Sequence, residues 1–166
     1  MGVPSPVGTL WLVASAEGLR RVSFGGSGEG GGPLGRDRGA LGVLEVVAGQ
    51  LEEFFGERRE EFEVPLDWSL SSGWALRVRR VLFETVGCGE TVSYGELAAR
   101  AGRPEGARAV GGIMAGNPIP VVVPCHRVIA ADGGLGGFAG SGGAMVEMKR
   151  KLLEREGSAA PTLFDL

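Results

Sequence analysis

Two short runs near the start, Thr9-Leu10-Trp11-Leu12-Val13-Ala14 and Leu19-Arg20-Arg21-Val22-Ser23-Phe24, are rich in strand-forming residues. They predict two strands joined by a turn at Glu17-Gly18. Residues 25–35 are mostly glycine with Ser, Glu and Pro, which predicts a mobile loop. The apolar period then changes. Leu41, Leu44, Val47, Leu51 and Phe54 recur at helical spacing. Phe62-Glu63-Val64 reads as a short strand, and residues 65–73 as a linker to a second domain.

In the second half Trp74, Val78, Val81, Leu82 and Thr85 line one face of a helix, with Arg77, Arg79 and Arg80 mostly off it. Ser93 is placed to cap a helix starting at Tyr94, its hydroxyl accepting from the amide of Glu96. That helix ends at Ala101 before Gly102. Pro104 and Glu105 suit the first turn of the next, which Pro118 stops at Asn117. The pair predicts a helix-turn-helix. The apolar run Ile119-Pro120-Val121-Val122-Val123 reads as a core strand leading to Cys125, and a last helix spans residues 145–156.

The second helix of the pair carries Ala107, Ala109, Gly111, Gly112, Ala115 and Gly116. Glycine inside a helix costs about 1 kcal/mol relative to alanine, so Gly111-Gly112 calls for close approach by another backbone. That backbone belongs either to a neighbouring helix or to a DNA strand. The helix offers few side chains to base edges, which suits a sequence-tolerant groove contact.

Charge refines this picture. The chain of 166 residues has a net charge of −3. Residues 1–71 hold 6 Lys+Arg against 11 Asp+Glu, whereas residues 72–157 hold 11 against 8. A basic second half beside an acidic first half fits local contact with phosphates. No apolar run approaches the roughly 20 residues of a membrane span, and no secretory leader is visible. Two cysteines, Cys88 and Cys125, and one histidine make neither a disulfide framework nor a zinc site. These features predict a cytoplasmic protein without metal.

The chemistry concentrates in Pro124-Cys125-His126-Arg127-Val128, where a thiol is followed by a base and a cation. A thiol with an ordinary pKa of about 8.5 is mostly protonated at neutral pH and needs such neighbours to react. A small buried cysteine is the alternative for this pattern alone. On an extended strand Cys125 and His126 would face opposite ways, so a turn at Pro124 or a bridging water is needed for proton transfer. Glu156 sits where the helix dipole disfavours an acid, which points to a tertiary partner such as His126.

The continuous run Arg108-Ala109-Val110-Gly111-Gly112-Ile113-Met114-Ala115-Gly116-Asn117-Pro118, leading to Pro-Cys-His-Arg-Val, strongly resembles the signature of the O6-alkylguanine-DNA alkyltransferases. The likeness extends back through Gly89-Glu90-Thr91-Val92-Ser93-Tyr94-Gly95-Glu96-Leu97-Ala98 and forward to Lys149 and Glu156-Gly157. It implies a ribonuclease H-like α/β domain over residues 1–68, a winged-helix-like domain over 69–157 and a tail over 158–166. It further implies transfer of an alkyl group from O6 of guanine, and from O4 of thymine, onto Cys125, once per protein molecule and without a cofactor. The partner would be double-stranded DNA, bound by a monomer.

By the same resemblance, His126, Glu156 and Asn117 support the nucleophile, and Tyr94 donates a proton to the leaving guanine. Arg108 fills the gap left by the flipped base, and Ala109, Gly111 and Gly112 lie in the minor groove. Met114, Val128, Phe138 and Ala139 would line the pocket. The chain departs from the family pattern at Phe138, where tyrosine is usual, at Cys88 and Trp74, and in a longer glycine-rich stretch before Lys149. Two other classes share some features: a non-catalytic lesion-binding protein of the same fold, and a cysteine hydrolase.

Overall fold

Strand β2 (Leu10–Ser15) buries Leu10, Leu12 and Ala14 and leaves the residues between them half-exposed. It pairs antiparallel with β3 (Gly18–Phe24), with a register shift between Val13 and Ala14. The structure, a computed structural model, describes residues 1–25, 32–33, 37–135 and 143–158. The other edge of β2 is shared by β1 (Gly2–Val3), antiparallel, and β4 (Gly32–Pro33), parallel. Most of the loop expected over residues 25–35 lies outside the described residues, and Gly32–Pro33 within it belongs to the sheet.

Helix α1 (Arg38–Phe55) starts at Asp37, whose carboxylate accepts from the amides of Gly39 and Ala40. Its buried face is Ala40, Leu44, Val47, Gln50, Leu51 and Phe54; Leu41 falls off that face and is exposed. Gln50 explains why residues 62–64 form no strand. Its side-chain amide donates to the carbonyl of Glu63 and accepts from the amide of Glu63, taking the place of a strand partner. Residues 65–67 are likewise no free linker. Pro65 and Asp67 bond to both sides of Leu19, and Asp67 accepts from Ser15 Oγ at 2.6 Å. This close approach fixes Gly18, where a Cβ would lie 2.3 Å from the Pro65 carbonyl oxygen.

The chain divides into two compact units, Met1–Ser71 and Ser72–Leu166. The second contains α2 (Gly73–Thr85), β5 (Val92–Ser93), α3 (Tyr94–Arg100), α4 (Ala107–Ala115), β6 (Val128–Ile129) and α5 (Gly143–Arg155), with β5 and β6 paired in parallel. Ser93 and Glu96 form a complete capping box at the start of α3. Pro104 and Glu105 lie in a turn before α4, and Gly106 is its N-cap. Trp74 requires that glycine, because a Cβ at residue 106 would lie 2.5 Å from the indole ring. The indole N–H donates to the Ala101 carbonyl at 2.9 Å, which seats α2 against the turn between α3 and α4.

Besides the helix start expected at Pro104 and Glu105, two expectations fail in this unit. Residues 119–123 form a turn, not a strand: the Val123 amide donates to the Ile119 carbonyl, and Val121 has φ +73. Arg79, expected off the buried face of α2, is buried beside Val78 and Leu82. Among the described residues no helix is long and apolar enough to cross a membrane.

Candidate active site

The turn before the nucleophile is held by one side chain. Asn117 Nδ2 donates to the Val123 carbonyl at 2.9 Å, and its Oδ1 accepts from the Ile119 amide at 3.1 Å. A β-branched residue at positive φ costs about 1–3 kcal/mol, and burial of the Val121 side chain at 1% exposure offsets a cost of that size. Beyond the turn, the Cys125 amide donates to the Val123 carbonyl at 2.8 Å and opens a single 3-10 turn, Cys125–Arg127. The strand geometry that would set Cys125 and His126 on opposite faces is therefore absent.

His126 is fully buried, and its Nε2 lies 2.7 Å from Glu156 Oε1. Arg127 grips the same carboxylate, with Nε donating to Oε2 at 3.0 Å and Nη2 to Oε1 at 2.9 Å. Its Nη1 donates to the Val86 carbonyl. Burial by itself would raise the Glu156 pKa, but His126 and then Arg127 bring it down to about 2. An ionised carboxylate only accepts, so His126 Nε2 carries the proton it shares with Glu156. Burial holds the imidazole pKa below its ordinary value despite Glu156, with Arg127 and Lys149 adding to the decrease. The result at neutral pH is a neutral imidazole with a basic Nδ1. That atom is buried and has no hydrogen-bond partner among the described residues.

Burial pushes the Cys125 thiol up, while the Asn117 side chain, Lys149 and Arg79 pull the other way. The resting sulfur is a thiol, and its proton must leave as it reacts. Lys149 is buried, donates to the Val128 carbonyl at 2.6 Å, and stands 5.8 Å from the centre of the Tyr94 ring. Its pKa falls to about 8 through burial. Tyr94, half-buried at the start of α3, is held protonated by burial and by the nearby Cys125.

Met114 and Val128 are buried, at the end of α4 and in β6. Arg108, Ala109 and Gly112 are exposed on α4, and Gly111 is half-exposed. A Cβ at Gly111 or Gly112 would meet nothing within 4 Å, so no neighbouring helix among the described residues requires these glycines. Phe138 and Ala139 lie outside the described residues. Sequence reasoning noticed Arg127 only as a nearby cation and missed its fork on Glu156. It placed Arg79 off the buried face and missed its bond to Ile113, since a helical period says nothing of where a long cationic side chain ends.

Both halves of the chain match known proteins. Residues 3–68 match the 6-O-methylguanine DNA methyltransferase ribonuclease-like domain, and residues 74–158 match its DNA binding domain. A methylated-DNA–protein-cysteine methyltransferase of Mycobacterium tuberculosis is 44% identical over 127 residues, covering 75% of this chain and 73% of the relative. One from Homo sapiens is 35% identical over 165 residues, covering 92% and 77%. The crystal structure of Mycobacterium tuberculosis OGT in complex with DNA is 37% identical, with a TM-score of 0.77 over 99% of this chain and 98% of that one. By sequence, by domain order and by fold, the chain belongs to the 6-O-methylguanine DNA methyltransferase family.

Proposed function

We propose that this protein repairs duplex DNA by moving an alkyl group from O6 of guanine, or O4 of thymine, onto Cys125. The observation that carries the reading is the buried Cys125–His126 turn, whose imidazole is oriented by Glu156 and keeps a free basic nitrogen. This is the arrangement of nucleophile, base and orienter. A water between the thiol and Nδ1 would carry the proton.

In the transfer the sulfur–carbon bond forms as the carbon–O6 bond breaks, and the bonding pair returns to the guanine ring. Tyr94 gives its hydroxyl proton to N3 of the leaving base. The thiol proton, taken by His126, returns to Tyr94 through solvent. Thiol and alkylguanine thus become thioether and guanine, with no redox partner or cofactor. A thioether has no easy hydrolytic exit, so each molecule acts once.

The target base must leave the stack, at roughly a few kcal/mol. Arg108 is assigned to the gap it leaves, with Ala109, Gly111 and Gly112 on the minor-groove surface; the exposure of these residues supports this. Met114 and Val128 are assigned to the pocket wall, together with Phe138 and Ala139. The paired β5 and β6 beside α3 and α4 support a winged-helix type for the domain over residues 69–157, after a ribonuclease H-like domain over 1–68. A reducing, cytoplasmic setting suits a thiol acceptor.

Incubation with a duplex containing O6-methylguanine, followed by intact mass, tests the reading. One methyl per chain on Cys125, and none on a Cys125→Ala variant, is expected. Binding without mass gain would indicate a lesion-binding protein, and repeated product release a hydrolase.

A further inference from the structure

Arg79 is a buried charged group of the second unit to which the alkyl-transfer reading gives no role. It lies on α2 with 7% of its surface exposed. Its Nη2 donates to the Ile113 carbonyl, in the last turn of α4, at 2.9 Å. A guanidinium there satisfies a helix-end carbonyl and suits the negative end of the helix dipole. A Cβ at Gly116 would stand in ordinary contact with the same nitrogen, at 3.4 Å. From Gly116 the chain passes into Asn117, which binds the Val123 carbonyl that also receives the Cys125 amide. Arg79 is thereby tied to the segment that seats the sulfur, and it lies within electrostatic reach of it.

We propose that Arg79 is a positioning residue for alkyl transfer, holding the end of α4 against α2 and keeping a permanent positive charge within electrostatic reach of the Cys125 sulfur. The inference rests on Cys125 being the acceptor. An arginine remains charged throughout the working pH range, unlike Lys149, whose pKa lies near 8. Its charge therefore still favours loss of the thiol proton above pH 8, where Lys149 is mostly neutral. The other groups that act on the sulfur are the side chain of Asn117, Lys149 from α5 and Tyr94 from α3. The base His126 follows it in the chain, bound to Glu156.

The test is the pH dependence of S-alkylation by free O6-benzylguanine, which needs no DNA, in a Cys88→Ser background. Arg79→Gln keeps a donor for the Ile113 carbonyl but removes the charge; Arg79→Lys keeps a charge. The glutamine variant should shift the rate profile upward by roughly half to one pH unit and react about three- to tenfold more slowly at pH 7. The lysine variant should recover most of that loss near neutrality. A glutamine variant with the wild-type profile would overturn the proposal.

Should Arg79→Gln not fold, guanidinium nitrogen NMR of the wild-type chain decides. The Arg79 resonance should move with the Cys125 titration and stop moving in Cys125→Ser, and a resonance indifferent to the sulfur's charge counts against the inference. If wild-type protein takes no alkyl group from any substrate, the proposed function fails. The NMR titration still reports on Arg79 in that case.

Discussion

The carboxylate of Glu156 meets the imidazole of His126 across 2.7 Å, with both side chains fully withdrawn from solvent and 30 residues apart in the chain. Arg127 makes this burial tolerable by forking onto the same carboxylate. An unpaired buried carboxylate would instead rise in pKa and neutralise. The ion pair therefore holds Glu156 as an acceptor, and the acceptor sets the tautomer of His126.

A shared task for His126 and Glu156 predicts non-additive losses. Glu156→Gln can still bind His126 but no longer stabilises an imidazolium, so alkyl transfer should slow by about 10²-fold, the lower end of general-base effects. His126→Ala should slow it further, and the double variant should match the harsher single one. Rates of S-alkylation for the four proteins complete the cycle. Losses that multiply would mean that the two act separately.

Acid should unfold the chain progressively, and the sign follows from both groups. The Glu156 pKa is depressed from 4.5 to about 2, so its stabilisation is full above 4.5 and vanishes as pH falls toward 2. The His126 pKa is also lowered from 6.5, so below that value the unfolded chain takes up a proton that the folded one resists. Urea midpoints should decline from pH 6.5 downward. Between 4.5 and 2 the decline should be shallower in Glu156→Gln than in wild type. Equal slopes there would show that Glu156 is not held ionised by its partners.

What the sequence discloses depends on how local each device is. The capping box at Ser93 and Glu96 is closed within four residues, and Cys125 and His126 are neighbours, so both are readable without a fold. Residues 119–123 mislead because an apolar run looks the same in a strand and in a buried turn. Pro118 and Pro120 were the available signal, since proline interrupts a strand ladder. Glu156 is signalled by its unfavourable place at a helix end. The burial of Arg79 has no sequence signature, because it depends on a carbonyl 34 residues away.

Gly112 should show opposite effects on folding and on DNA binding. Its backbone has no positive φ, and a side chain there meets no protein atom within 4 Å. Gly112→Ala should therefore stabilise the fold by about 0.5–1 kcal/mol. Gly112→Leu should also fold, but its side chain would stand on the surface assigned to the minor groove. Duplex affinity should drop by about tenfold or more, equivalent to roughly 1.4 kcal/mol. Thermal melts and duplex titrations check the two halves, and unchanged affinity in the leucine variant would place the DNA elsewhere.

Base extrusion and chemistry separate on two substrates. Arg108 is exposed on α4 and is assigned to the space vacated in the duplex, so its contribution depends on double-stranded substrate. Free O6-benzylguanine presents its alkyl carbon to Cys125 without that step. Arg108→Ala should slow repair of duplex strongly, by about the few kcal/mol that unstacking costs, and leave the free base nearly unaffected. Tyr94 is half-buried and held protonated, and it acts on the leaving guanine whatever its source. Tyr94→Phe should slow both substrates by similar factors. Rates of alkyl-cysteine formation supply all four numbers. An Arg108→Ala variant equally slow on both substrates would assign Arg108 to the pocket or the fold, because a residue that only fills a gap in a duplex has nothing to do where no duplex is present.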